Sequence, residues 1–144
     1  RDYEKLFPVL EELGIGFVAF SPLANGFLTA VYNSHAQFEK PGDYRSMMPQ
    51  FSDEGIKENK EFILWIKLLA EEKKATPAQI SLAWMSAKKL YIVPIPGTRK
   101  VSRLEENMKA SEIKLTKDEV KAIDEMLDNI PMSQVFGGSK IQKK

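Results

Sequence analysis

The sequence predicts an α/β fold with parallel strands, on the basis of two apolar runs and the helical patterns around them. Residues 15–20 and 90–95 are almost continuously apolar, which is typical of parallel strands buried on both faces. Segments with helical spacing of apolar residues precede and follow each run, and such alternation indicates α/β architecture. Two strands are too few for a free-standing sheet, so we expect the chain to be part of a larger protein.

The elements before the second strand follow from apolar spacing and turn chemistry. Residues 2–13 have apolar side chains at helical spacing, Pro8 is compatible with a first helical turn, and Gly14 is a natural C-terminal stop. Residues 21–26 have turn chemistry and end the first strand. We expect residues 30–55 to be irregular, and a loop of that length in a compact domain is usually functional or disordered.

Three capping boxes predict the starts of the later helices. They pair Thr76 with Gln79, Ser102 with Glu105, and Thr116 with Glu119. An amphipathic segment over residues 62–69 precedes the first box, and the apolar faces that carry Trp65 and Trp84 predict a core role for both rings. Residues 131–144 form a polar tail.

Composition limits the class of protein and its surroundings. The formal net charge is +1, which provides no general attraction to nucleic acid or to a membrane surface. The chain has no cysteine, so it can form neither disulfides nor thiolate metal sites, as suits a cytoplasmic protein. No apolar run approaches the roughly 20 residues of a membrane-spanning helix. The carboxylates are scattered among basic residues, and the sequence predicts no metal cluster.

The second strand leads into an arrangement that favours an anion. It runs into the turn at Pro96 and Gly97, and Arg99, Lys100 and Arg103 follow where a helix begins. A glycine turn before a helix N-terminus presents backbone N–H groups to a phosphate. The alternative, a solvated basic helix end, is disfavoured because cations there oppose the helix dipole. The sequence therefore predicts a phosphorylated ligand, and a nucleotide cofactor is the class we expect.

Three motifs together resemble the aldo-keto reductase family. They are GIGFVAFSPL with GFL over residues 14–28, TPAQ with LAW over residues 76–84, and PIPGTR with a later Arg, Glu and Asn over residues 94–107. The resemblance implies a (β/α)8 barrel, of which residues 1–130 would supply the C-terminal part. That part comprises the end of the sixth helix and the seventh and eighth strands with their helices. Barrel enzymes bind ligands at the C-terminal face of the strands.

The resemblance also implies a cofactor, NADP(H), and assigns residues to it. Its binding residues would be Phe20, Ser21, Pro22, Leu23, Asn25, Gly26 and Leu28 after the first strand, and Pro96, Gly97, Thr98, Arg99, Arg103, Glu106 and Asn107 after the second. Phe20 would stack on the nicotinamide, although an aromatic residue there could equally fill a core. The turn after it would line the pyrophosphate, and Glu106 and Asn107 would meet the adenine, unless they are ordinary exposed helix residues.

The preference for the phosphorylated cofactor depends on two arginines. A phosphate monoester carries about two negative charges near neutral pH, and guanidinium groups bind it through paired hydrogen bonds. Arg99 would reach the 2′-phosphate from the turn and Arg103 from the first helical turn, while Thr98 adds a hydroxyl. Lys100 either adds charge or faces solvent. A carboxylate reading the ribose would instead have indicated NAD(H).

The function implied by the resemblance is reduction of aldehydes or ketones by an NADP-dependent oxidoreductase. The family's catalytic Asp, Tyr, Lys and His lie in earlier strands, so we assign no catalytic residue here and expect this chain alone to be inactive. Two alternatives remain open at this point: an auxiliary family member similar to potassium-channel β subunits, and an inactive fragment. His35 is expected at the surface, and Arg45 and Phe51 are candidates for the pocket mouth.

The expected partners are a small carbonyl substrate and either a companion chain or a second copy. Part of a barrel leaves strand edges unpaired, and unpaired edges invite pairing with another chain. Neither nucleic acid nor a membrane is expected as a partner, given the charge and the absence of a long apolar run.

Overall fold

The computed structural model describes residues 2–32, 38 and 43–129. The helices are α1 (Phe7–Leu13), α2 (Asp53–Glu58), α3 (Lys60–Glu72), α4 (Pro77–Lys88), α5 (Val101–Lys109) and α6 (Lys117–Asn129), and the strands are β1 (Phe17–Ala19) and β2 (Ile92–Pro94). Short 3₁₀ segments occupy Asp2–Leu6, Ala24–Thr29, Tyr44–Met47, Pro49–Phe51 and Ala110–Glu112. The expected polar tail and His35 lie outside the described residues.

The two strands pair in parallel, as the sequence predicts. Their register sets Phe17 opposite Ile92 and Val18 opposite Val93, and the helices α2 to α4 form the long crossover that a parallel pair requires. Both strands are shorter than the apolar runs. The prediction of burial on both faces was wrong for the described residues, because their helices cover one side of the sheet and Val18 and Val93 keep 62% and 55% of their surface exposed.

The first predicted helix is divided into a 3₁₀ segment and α1. Pro8 lies in the first turn of α1, where its missing N–H removes no helical hydrogen bond. Gly14 ends the helix in the left-handed conformation with φ of 63°, a geometry that costs glycine little. The α1 helix then packs on the sheet through the edge-to-face contacts of Phe7 with Phe17 and Tyr91.

Helix α4 is the centre of the fold, since it contacts β2, α3, α5 and α6. The main core lies around it and contains Phe62, Ile66, Leu69, Ala70, Ile80 and Ile123. Trp65 and Trp84 pack against this core, which confirms their expected role. The Trp84 indole also donates a hydrogen bond to Asp124.

Two of the three capping boxes are confirmed. The Thr76 hydroxyl accepts a hydrogen bond from the backbone N–H of Gln79, and the Gln79 side chain accepts one from the N–H of Thr76. Thr116 and Glu119 make the same reciprocal pair at the start of α6. Each box satisfies two backbone donors that a helix start would otherwise leave without partners.

The segment after residue 30 is more ordered than the sequence predicts. In its described part, two 3₁₀ segments at Tyr44–Met47 and Pro49–Phe51 precede α2. Phe51 is buried with Phe27 and Met48 in a second apolar cluster, rather than lying at a pocket mouth. The sequence did not predict this order because it depends on close packing between neighbouring segments. The backbone at Gly55 lies so near the Pro49–Phe51 segment that a Cβ there would be 2.1 Å from the carbonyl oxygen of Pro49.

Candidate functional site

The turns that follow β1 and β2 form the two walls of one groove. Adjacent parallel strands bring their carboxyl ends to the same edge of a sheet, so these turns meet although about 70 residues separate them in the chain. The groove has a volume of about 700 Å³. Its lining comprises Ser21, Pro22, Leu23, Asn25, Gly26, Thr29, Tyr32, Tyr44, Arg45, Ala78, Ile95, Pro96, Gly97, Thr98, Arg99, Lys100, Arg103 and Asn107.

The wall after β1 is a turn with unusual backbone geometry. Ser21, Ala24, Asn25 and Gly26 all have positive φ, at 50°, 46°, 58° and 95°. Left-handed geometry costs a residue other than glycine roughly 1 kcal/mol or more, and such strain is concentrated at functional sites. The N–H groups of Ala24 and Gly26 donate to carbonyls within the turn. These two donors are therefore used internally and do not face the groove.

The wall after β2 carries exposed positive charge. Arg99 and Lys100 are exposed, and neither forms an ion pair with the described residues. The Thr98 hydroxyl accepts a hydrogen bond from the N–H of Lys100 at 3.1 Å and orders the chain before α5. Gly97 borders open space, because a Cβ built there would have no neighbour within 4 Å.

The Ser102 capping box was a wrong prediction. Helix α5 begins at Val101, its N-cap is Lys100, and no side chain caps it. Ser102 therefore lies inside the helix, two residues after the N-cap, where it cannot act as a cap. The consequence for the site is an exposed helix start with uncapped N–H groups beside two cations that form no ion pair with the described residues, which is an arrangement that favours an anion.

The first turn of α5 also contains a partly neutralised arginine. Arg103 lines the groove, and its guanidinium donates to the Glu106 carboxylate at 2.6 Å. The other oxygen of that carboxylate accepts from the Thr76 hydroxyl at 2.8 Å. Glu106 thus lies beside the groove and links α5 to α4, whereas Asn107 is part of the lining. The adenine contacts expected of both residues remain predictions.

The structure places two more of the predicted cofactor residues outside the lining. Phe20 ends the first strand with 66% of its surface exposed, so it does not fill a core. Leu28 packs against both apolar clusters and so ties the end of the turn to the protein core. Stacking by Phe20 remains a prediction, and the position of Leu28 favours a supporting role.

A third part of the groove comes from the segment after residue 30. The sequence pointed to Arg45 in this segment but not to Tyr32 and Tyr44, nor to Thr29 at the end of the preceding 3₁₀ segment. The Tyr44 hydroxyl donates to Oδ1 of Asn25 at 2.8 Å. These residues follow no periodic apolar pattern that would predict their position. The one indication in the sequence was Asp43, a residue type suited to capping a helical turn, with a tyrosine and an arginine directly after it.

Arg45 is fixed by several neighbours at once. It donates to the Asp43 carboxylate through two nitrogens and to the Tyr32 hydroxyl, and its guanidinium lies 4.6 Å from the centre of the Phe38 ring. The hydrogen bond to Asp43 is the main reason that the pKa of Arg45 is raised above its ordinary value. Arg45 therefore stays charged, but Asp43 compensates that charge.

The described part of the chain contains neither a metal-binding cluster nor a membrane-spanning helix. No group of three or more His, Asp or Glu side chains there could hold a metal ion. Among the same residues, none of the helices has the length and apolar character needed to cross a bilayer.

Comparison with known proteins identifies the family. The model of the aldo/keto reductase family matches residues 1–128. Aldo-keto reductase str7 of Strobilurus tenacellus is 40% identical over 85% of this chain and 36% of its own length. A Schizosaccharomyces pombe aldo-keto reductase, yakc, whose name specifies NADP(+), is 42% identical over 90% of this chain and 39% of its own length.

Solved structures agree with the fold. The thermostable aldo-keto reductase Tm1743, in complex with the inhibitor epalrestat, matches with a TM-score of 0.58 and 30% identity over 88% of this chain and 35% of its own. The glycerol dehydrogenase AKR11B4 of Gluconobacter oxydans shares the fold with a TM-score of 0.80 over 94% of this chain and 42% of its own, at 24% identity. The predicted fold class, the C-terminal part of a (β/α)8 barrel, is confirmed.

This chain spans less than two fifths of the length of the curated relatives it matches. The match of the family model over residues 1–128 nevertheless covers most of the sequence. The chain belongs to the aldo/keto reductase family.

Proposed function

We propose that this chain forms an NADP(H)-binding part of an oxidoreductase that reduces aldehydes or ketones. The observation that carries the proposal is one groove, in which a left-handed turn, an uncapped helix start and two cations without an ion pair among the described residues meet. A volume of about 700 Å³ lies within the usual range of cofactor sites. The name of the S. pombe relative supports the choice of cofactor.

The residues of the groove fit a phosphorylated dinucleotide. Ser21, Leu23 and Asn25 would border the pyrophosphate in the wall after β1. Arg99 would bind the 2′-phosphate together with the N–H groups at the start of α5, because among the described residues Arg99 has no ion pair and no side chain caps that helix start. Arg103 would contribute less charge, since Glu106 already pairs with it.

Substrate chemistry is divided between the cofactor and the protein. When bound, NADPH supplies the hydride for carbonyl reduction. The residues of this chain bind the cofactor and orient it, which is the usual share of the protein in cofactor chemistry. We place the acid that protonates the carbonyl oxygen outside this chain, as the family resemblance implies.

Binding of NADPH and NADH to Arg99→Gln tests the proposal. We expect the unsubstituted protein to bind NADPH more tightly than NADH, and the variant to lose about tenfold or more of that preference, because a charged hydrogen bond to phosphate is removed. Titration of cofactor fluorescence measures both affinities. Lys67→Gln, an exposed cation on α3, is the control. Equal affinity for the two cofactors in the unsubstituted protein would contradict the 2′-phosphate assignment.

Turnover separates the enzyme from the auxiliary alternative. The complete protein is expected to oxidise NADPH when an aldehyde or ketone is added, which absorbance reports. Retained cofactor binding without turnover of any carbonyl compound would favour an auxiliary subunit.

The bare side of the sheet supports a proposal about partners. Val18, Phe20, Val93 and Ile95 are all exposed on or just beyond the same face of β1 and β2. We propose that further strands cover this face, from the same protein or from another copy. If the chain is prepared alone, sedimentation should show self-association that Val18→Lys weakens. A stable monomer would contradict the proposal.

A further inference from the structure

We propose that Tyr44 is a positioning residue, which holds Asn25 in the left-handed conformation and so shapes the pyrophosphate side of the groove. The inference rests on the proposed function, because it concerns the same groove. Its physical basis is a strained turn joined to a well-anchored segment by one hydrogen bond between distant residues.

The turn is strained even though it contains hydrogen bonds of its own. Three of its residues other than glycine have positive φ, namely Ser21, Ala24 and Asn25. In addition, the Nδ2 atom of Asn25 is buried and has no hydrogen-bond partner among the described residues, which adds a desolvation cost. Such geometry persists only where surrounding structure holds it.

Tyr44 supplies a contact from outside the turn. Its hydroxyl donates to Oδ1 of Asn25 at 2.8 Å, across 19 residues of chain. This bond fixes the amide plane of Asn25, whose backbone φ is 58°. Asparagine tolerates the left-handed region better than most residues, so one fixed side chain can select that conformation.

The segment that carries Tyr44 is itself rigidly held. Asp43 accepts hydrogen bonds from the backbone and the guanidinium of Arg45, and Arg45 also donates to the Tyr32 hydroxyl at 2.6 Å. The Tyr32 ring then packs beneath the turn, since a Cβ at Gly26 would lie 3.2 Å from its Cε2 atom. The hydrogen bonds of Asp43, Arg45 and Tyr32 therefore hold the segment of Tyr44 in place beside the turn.

The arrangement makes a selective prediction. Loss of the Tyr44 hydroxyl should affect ligands that reach the turn and should spare ligands that contact only the wall after β2. NADPH carries a pyrophosphate, whereas adenosine 2′-monophosphate carries only the group proposed to bind near Arg99. A general loss of folding would weaken both probes equally.

The experiment measures the affinity of the purified protein for both probes in Tyr44→Phe. We expect NADPH to bind about five- to tenfold more weakly, the size of one hydrogen bond, and adenosine 2′-monophosphate to bind as before. Tyr3→Phe, an exposed tyrosine outside the groove, is the matched control and should leave both affinities unchanged.

A second variant tests whether Tyr44 acts through Asn25. Glycine adopts the left-handed region freely, so Tyr44→Phe should have no further effect on NADPH binding in the Asn25→Gly background. An equal effect in both backgrounds, unchanged NADPH affinity in Tyr44→Phe, or equal weakening of both probes would overturn the inference alone. Failure of the unsubstituted protein to bind either probe would overturn the proposed function, and this inference with it.

Discussion

Apolar side chains and helix starts differ between the two sides of the β1–β2 sheet: those on the helical side are buried or capped, and those on the open side are exposed. Around α4, the apolar side chains are buried and the helix start is capped. On the open side and in the groove at its end, apolar side chains are exposed, the helix start is uncapped and two cations have no ion-pair partner among the described residues. On the helical side, then, packing and capping satisfy the apolar groups and the helix start, whereas on the open side both stay exposed among the described residues.

Two isoleucines provide the largest expected contrast. Ile80 is fully buried in the core and Ile95 is 51% exposed. We expect Ile80→Ala to lower the free energy of unfolding by about 3 kcal/mol through lost contacts and a cavity, and Ile95→Ala to lower it by less than about 1 kcal/mol. Chemical denaturation measures both. Comparable losses would mean that the open side is already covered, and the contrast would fail.

The two helix starts give a smaller contrast. Thr76→Ala removes an acceptor for the N–H of Gln79 and a donor to Glu106, and should destabilise the protein by about 1 kcal/mol. Ser102→Ala is the matched change, and because Ser102 caps nothing it should stay within about 0.5 kcal/mol. Thermal unfolding of both variants checks this, and a large loss for Ser102→Ala would restore the capping box that the structure contradicts.

The ion pair of Glu119 with Lys73 gives the smallest expected effect on stability, and its dependence on pH identifies it. Burial acts to raise the pKa of Glu119, but hydrogen bonds from Lys73 and the Thr116 N–H outweigh burial and lower it. A carboxyl whose pKa is lower in the folded than in the unfolded state stabilises the fold at pH values above its unfolded pKa. This stabilisation is lost as the pH falls through the folded pKa. Glu119→Gln should therefore cost about 0.5 kcal/mol at neutral pH and nothing in strong acid. A difference that is independent of pH would exclude the ion pair as its cause.

Much of the fold could be predicted from the sequence because its signals are local. The apolar periods of α3 and α6, the boxes at Thr76 and Thr116, and the stop at Gly14 each depend on neighbouring residues. The first residue of α5 and the end residues of the two strands were less predictable, because they depend on contacts between residues that are distant in the sequence. Burial of the strands on both faces was mispredicted, since a sequence pattern does not show whether the covering elements are present.

The site followed a similar division. The two turns were predictable because each directly follows an apolar strand, and the parallel pairing then brings them together. The contribution of Tyr44 could not be predicted, because its partner Asn25 lies 19 residues away and no period links them. The pairing of Arg103 with Glu106 was also missed, although their spacing along one helix allowed it.

Hydrogen–deuterium exchange with and without NADPH tests the central claim most directly, namely that the two turns form one cofactor site. We predict that residues 21–26 and 97–103 become protected at the same NADPH concentration, while α3 in the helical core exchanges as before. Protection of only one of the two segments, or of neither, would contradict the account.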